Sequence, residues 1–307
     1  MAMVFPGQGS QSQGMQADLA EKFPEIEATY AEASDILGYD LWRLTQEGPA
    51  ERLGETVVTQ PAMLTAGVAA WRAWQATGGA APEFMAGHSL GEYSALVCAG
   101  SLNFDDALLL VRRRSELMQD AVPVGEGAMA AIIGLDDDSA RRLCEEASGI
   151  GVAEPVNFNS PGQVVIAGHR PSVLRAVERA EAAGARRAVL LKVSVPSHSS
   201  LMVKAGEALA DALQSVPIAE PGIAVINATD ATPYAGVDDI RSRLARQVYS
   251  PVHWVDTVRY MIAEGASRIV ECGPGRVLSG LVRRIANGTP VYSIDSVERM
   301  QDALAQR

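Results

Sequence analysis

The chain has 307 residues, enough for one large domain or two unequal ones. Hydrophobic residues make up 48%, charged residues 21% and aromatics 5%, a balance that excludes a disordered chain, a collagen-like repeat and a disulfide-stapled miniprotein. Lys+Arg total 26 against 37 Asp+Glu, for a formal net charge of -11, which argues against general binding along a nucleic-acid backbone because that needs a basic surface.

In chain order, Met1 to Phe5 reads as a short buried strand that Pro6-Gly7 breaks into a polar loop, Gln8 to Gly14. Helical patterns follow from about Asp18 to Leu37, and a further helix is expected to start at Pro61, where a first-turn proline suits the fixed φ, and to end at Gly78-Gly79. Phe84 to Ala86 is a strand candidate, followed by Gly87-His88-Ser89-Leu90-Gly91 and a helix from Glu92 to Ala99. Another helix spans about Asp105 to Gln119, with Arg114 late on it.

From Gly127 the rhythm changes. Strand 128–135, helix 138–148, strands 154–158 and 163–168, helix 172–184 and strand 187–193 give the order βαββαβ, the ferredoxin-like pattern, inserted into a larger α/β unit. The chain then returns to α/β segments, with strands expected at 224–226, 268–271 and 291–294. The N-terminus lacks a basic stretch followed by a long apolar one, and no run of about 18 apolar residues occurs, so a cytoplasmic protein without membrane insertion is expected. Cys98, Cys144 and Cys272 are odd in number and lack paired spacing, so neither a disulfide framework nor a metal site is indicated.

Gly87 to Gly91 fits G-x-S-x-G, the nucleophile elbow, whose glycines permit a tight turn that exposes the serine hydroxyl at a helix start. The amide of Leu90 would then point at the negative charge developing on an acyl oxygen. A serine nucleophile needs a base, and the histidines are His88, His169, His198 and His253. His88 adjoins Ser89 and suits a supporting role, His169 lies in the inserted unit, and His253 sits in a helix-like run. His198 falls where the inserted unit hands back to the large one, over the expected cleft, and is the candidate base. No triad acid stands out between Ser89 and His198, which suggests that a carbonyl or amide orients the imidazole. Gly7-Gln8-Gly9-Ser10-Gln11 fails both the dinucleotide and the Walker patterns. The run Arg112, Arg113, Arg114 reads either as a solvated helix end or, if one arginine is buried beside the serine, as a fork that pairs with a carboxylate.

These motifs coincide with a known family. FPGQGSQ at 5–11, TQPA at 59–62, GHSLGEYSAL at 87–96, RSELMQ at 114–119, PVNFNSPGQVVIAG at 155–168, VPSHSSLM at 195–202, RQVYSPVHW at 246–254 and ECGPGRVLSGL at 271–281 resemble the bacterial malonyl-CoA:acyl carrier protein transacylases along essentially the whole chain. The resemblance implies an α/β-hydrolase-like core over 1–126 and 198–307 with a ferredoxin-like small subdomain over 127–197. It implies Ser89 as nucleophile, His198 as base, the Gln8 and Leu90 amides as oxyanion hole, and Arg114 on the substrate carboxylate. The Gln247 carbonyl would orient the histidine, with His88 in support. Position 253 is histidine where related sequences have glutamine, and VRRR leading into RSELMQ is more basic than in others. The implied reaction is ping-pong transfer of a malonyl group from malonyl-CoA to acyl carrier protein, needing no metal or prosthetic group, by a protein expected to be monomeric. A serine thioesterase or a polyketide-type acyltransferase is the alternative. For an acidic carrier, Arg186-Arg187 and Arg283-Arg284 are candidate landing sites.

Overall fold

The computed structural model describes residues 1–193 and 195–306. Strand β1 (Ala2–Phe5) is buried at every residue, as befits a central parallel strand covered on both faces. The helical pattern over 18–37 resolves into α1 (Ala17–Lys22) and α2 (Pro24–Leu37), parted at Phe23, whose extended backbone lets Pro24 open α2 where its missing N–H is no loss. Two short helices, α3 (Leu41–Glu47) and α4 (Ala50–Leu53), lead to α5 (Thr56–Ala76).

Helix α5 corrects an expectation: it begins at Thr56, and Pro61 lies inside it. An interior proline costs a helix about 3 kcal/mol. The first turns of α5 are nevertheless buried, at Thr56, Val58, Thr59 and Gln60, so tertiary packing outweighs the local penalty and carries Gln60 inward.

Next come β2 (Phe84–Gly87), α6 (Gly91–Cys98) and α7 (Phe104–Asp120). Then follow β3 (Gly127–Ile133), α8 (Asp137–Ala147), β4 (Ala153–Ser160), β5 (Gln163–His169), α9 (Arg170–Ala180) and β6 (Arg187–Leu190), the expected βαββαβ order. The rest comprises α10 (Val203–Gln214), β7 (Ala224–Asn227), β8 (Thr232–Pro233), α11 (Val237–Gln247), α12 (Trp254–Ala263), β9 (Ile269–Glu271), α13 (Val277–Ile285), β10 (Val291–Ser293) and α14 (Val297–Ala305).

The strands form two sheets. The first has the order β10-β9-β1-β2-β7-β8, parallel except for the β7–β8 pair. Its side chains alternate as a pleat requires: Met3 and Phe5 enter one core with α2, α5 and α7, while Ala2 and Val4 enter another with α12 and α13. The second sheet has the order β4-β5-β3-β6, antiparallel throughout. Ala128, Ala130 and Ile132 of β3 pack with Leu143 of α8 and Val173 and Ala176 of α9 on one face, leaving Met129 for the other. The second sheet is tied to the segment before α12, where Phe158 N donates to Val252 O at 2.9 Å and Val252 N to Val156 O at 2.8 Å, and His253 N of that segment donates to Ala228 O, just past β7, at 2.7 Å. β1 and β2 end side by side, Phe5 opposite Gly87, so their outgoing loops meet at the carboxyl edge of a parallel sheet, the usual place for a ligand.

Candidate active site

The turn after β2 is built by close approach. A Cβ on Gly87 would lie 1.9 Å from the Gly91 carbonyl carbon, one on Gly91 would lie 2.0 Å from the Phe5 carbonyl oxygen, and one on Gly7 would lie 2.4 Å from the His88 carbonyl oxygen. Backbone cannot yield at such distances, so glycine is required at each position. His88 N donates to Phe5 O at 3.0 Å, and Ser89 takes a left-handed φ of 52° that non-glycine residues seldom adopt. The serine is thereby lifted off the end of the strand onto the start of α6.

His198 reaches it from the segment leaving the second sheet. Its Nε2 lies 2.7 Å from Ser89 Oγ and its Nδ1 lies 2.8 Å from the main-chain oxygen of Gln247. A carbonyl only accepts, so Nδ1 carries the proton and Nε2 is left to accept from the serine hydroxyl. The ring is held in place because His198 N donates to Val248 O at 2.9 Å, next to the carbonyl that orients Nδ1. Burial, and next the positive charge of Arg114, push the imidazole down to about 3, against the raising effect of the Gln247 bond. The ring is therefore neutral at physiological pH, the form a base requires.

Arg114, on α7, is only 1% exposed. Its Nη2 donates to Ser89 Oγ at 3.2 Å and to Gln247 Oε1 at 3.1 Å, and its Nη1 donates to Gln60 Oε1 at 2.5 Å. Among the described residues its Nε has no partner. Gln247 bridges further: its Nε2 donates to Ser89 O at 3.1 Å and to Glu92 Oε2. Glu92 is fully buried and also accepts from Asn227 and Tyr234. Burial pushes its carboxyl up to about 7, opposed by those donors.

Ser89, His198 and Arg114 share a cavity of about 110 Å³ with Gln8, Gln60, His88 and Leu90, and with Met129, Asn157 and Leu191 from the second sheet and the segment after it. The backbone amides of Gln8 and Leu90 donate to no group among the described residues, leaving both free for an oxyanion. Gln8 is steadied through its side chain, which donates to Thr56 at 3.3 Å. His88 turns away: its Nε2 meets Asn159 Oδ1 at 2.8 Å, and burial lowers its pKa. His169 accepts from Val152 N and His253 faces Asp256 at 3.8 Å, both apart from the cavity. Among the described residues no group of three or more His, Cys, Asp or Glu could hold a metal.

The model of the acyl transferase domain family matches residues 2–297. A malonyl CoA-acyl carrier protein transacylase of Escherichia coli K12 is 55% identical over 303 residues, covering 99% of this chain and 98% of the relative. The chain belongs to the malonyl CoA-acyl carrier protein transacylase family. The Bacillus subtilis transacylase of the same name is 41% identical over 305 residues, covering 99% of this chain and 96% of its own length. Among solved structures, a type II PKS acyl-carrier protein in complex with its malonyl-transacylase matches with a TM-score of 0.98 at 52% identity, covering 100% of this chain and 99% of that one.

Of the positions singled out by motif, His198, Arg114 and Gln247 meet around Ser89, Gln8 and Leu90 line the same cavity, and His88 points away to Asn159. Sequence reasoning gave no task to Gln60, Glu92, Asn159, Asn227 or Tyr234. The first three lie inside quoted motifs, TQPA, GHSLGEYSAL and PVNFNSPG, which could have flagged them. Asn227 and Tyr234 lie outside every motif, and only the fold places them beside Glu92.

Proposed function

We propose that the protein transfers the malonyl group of malonyl-CoA to the phosphopantetheine thiol of acyl carrier protein by a ping-pong route through malonyl-Ser89. The observation that carries this reading is one hydroxyl, Ser89 Oγ, lying 2.7 Å from His198 Nε2 and 3.2 Å from the Arg114 guanidinium. Ser89 attacks the thioester carbonyl while its proton passes to His198 Nε2. The Gln8 and Leu90 amides receive the oxyanion, and Arg114 holds the free acid of the malonyl group. Collapse expels coenzyme A, which takes the proton from the imidazole. The carrier thiol then gives a proton to His198 and attacks the ester, and Ser89 recovers its hydrogen. The Gln247 carbonyl keeps the ring oriented, and His88 supports the wall through Asn159.

The same reading takes the fold as an α/β-hydrolase-like core over 1–126 and 198–307 with a ferredoxin-like subdomain over 127–197, which the antiparallel order β4-β5-β3-β6 supports. It needs no metal or prosthetic group, and it places a monomeric enzyme in the cytoplasm; no helix among the described residues is long and apolar enough to cross a membrane. Intact mass after brief mixing with malonyl-CoA, and again after adding pantetheinylated carrier, tests it. One malonyl adduct should form, be absent in Ser89→Ala, and move to the carrier. Decay to free malonate with the carrier unmodified would identify a hydrolase instead.

A further inference from the structure

Glu92 takes no part in the proposed transfer, yet it lies fully buried on α6, three residues beyond Ser89, with donors on both carboxylate oxygens. Gln247 Nε2 meets Oε2; Asn227 Nδ2, at 2.6 Å, and the Tyr234 hydroxyl meet Oε1. Asn227 cannot turn over, because its Oδ1 already accepts from Thr229 N at 3.0 Å, Thr229 Oγ1 at 2.6 Å and Asp230 N at 3.1 Å. Its amide nitrogen must therefore face Glu92. A carboxylate, accepting at both oxygens, satisfies a donor on each side. This in turn decides how the Gln247 carboxamide faces: nitrogen toward Glu92 and Ser89 O, oxygen toward Arg114 Nη2 at 3.1 Å.

We propose that Glu92 is a positioning residue that locks the Gln247 carboxamide and through it aims Arg114 at the free acid of the acyl group, so that preference for acid-bearing acyl groups depends on a side chain that never touches them. The inference rests on the transfer reading and deepens it. In Glu92→Gln one end of the new carboxamide is a donor. Asn227 cannot receive it, and the Tyr234 hydroxyl on that side already accepts from Asn227 Nδ2 at 3.1 Å, so the donor end faces Gln247, whose own carboxamide turns and brings its nitrogen against the guanidinium.

The test compares loading rates with malonyl-CoA and acetyl-CoA for folded wild type, Glu92→Gln and Tyr234→Phe, the last removing one anchor of the carboxylate. Glu92→Gln should lower the malonyl-to-acetyl ratio by about tenfold or more, and Tyr234→Phe by about two- to tenfold in the same direction. In an Arg114→Ala background both shifts should vanish, because the residues act through one another. If Glu92→Gln does not fold, Tyr234→Phe alone carries the test. A ratio unchanged in the folded variants, or a shift that persists without Arg114, overturns the role of Glu92 while wild-type loading stands. A wild type that accepts neither acyl group overturns the transfer reading and this inference with it.

Discussion

A guanidinium that is 1% exposed needs acceptors, and Arg114 has two side-chain carbonyls, Gln60 at 2.5 Å and Gln247 at 3.1 Å. Both are neutral, and no carboxylate hydrogen-bonds to it among the described residues. On the proposed reading the free acid of the acyl group meets that charge, at about 1.5 to 3 kcal/mol per charged hydrogen bond. Arg114→Ala should therefore cost malonyl loading about 10- to 150-fold more than acetyl loading, measured as the ratio of the two rates; equal losses would remove Arg114 from acyl selection. His198 makes a second prediction. Its imidazole is 6.5 when unperturbed and is held down to about 3 in the folded chain by burial and Arg114. Between those values the unfolded chain binds the proton and the folded chain does not, so this stabilisation is whole above about pH 6.5 and drains away toward pH 3. The urea midpoint of wild type should fall relative to that of His198→Ala between pH 8, 6 and 4; a constant difference would show that the ring is not buried neutral. Ser89 and His198 were legible in the sequence because a glycine-framed serine and a histidine at a unit boundary carry local signals. The motifs around Gln60 and Glu92 mark their segments but not their tasks, since a polar residue within a helix shows its burial only after the chain is packed.

At the scale of elements, the strand-turn-helix around Ser89 depends on Gly91, whose added Cβ would sit 2.0 Å from the Phe5 carbonyl oxygen. That atom belongs to the neighbouring strand, so β1 and α6 would have to separate. Gly91→Ala should lose about 3 kcal/mol or more of stability, at the upper end for overpacking, together with the malonyl adduct; chemical denaturation and intact mass check both, and a fully stable variant would contradict the close packing. The βαββαβ run was readable because hydrophobic spacing switches cleanly between strand and helix over 127–190. Pro61 misled for a physical reason. A proline near a helix start is a sound local signal, but the side chains of the preceding turn are buried, and packing extended α5 back to Thr56. The pairing of β1 with both β2 and β9 joins segments far apart in the chain, and no periodicity encodes that.

Across the whole molecule the net charge of -11 opposes an acidic partner, so association with a carrier should be governed by local basic positions. Arg284 is one: exposed on α13, its Nη1 donates to Gln163 Oε1 of β5 at 2.6 Å, across the seam between α13 and the second sheet. Arg284→Glu should raise KM for carrier protein while malonyl-CoA loading keeps its rate, measured in separate half-reactions; a matching fall in loading would assign the arginine to the seam rather than to docking. The cavity itself joins charge to chemistry. Arg114 both faces Ser89 Oγ and lowers the proton affinity of His198. An acid seated on that guanidinium would offset its charge, and the imidazole would then hold a proton more readily than beside the uncompensated guanidinium. A substrate carrying its own negative charge thus strengthens the base that acts upon it, whereas a neutral acyl group leaves that base as weak as it was.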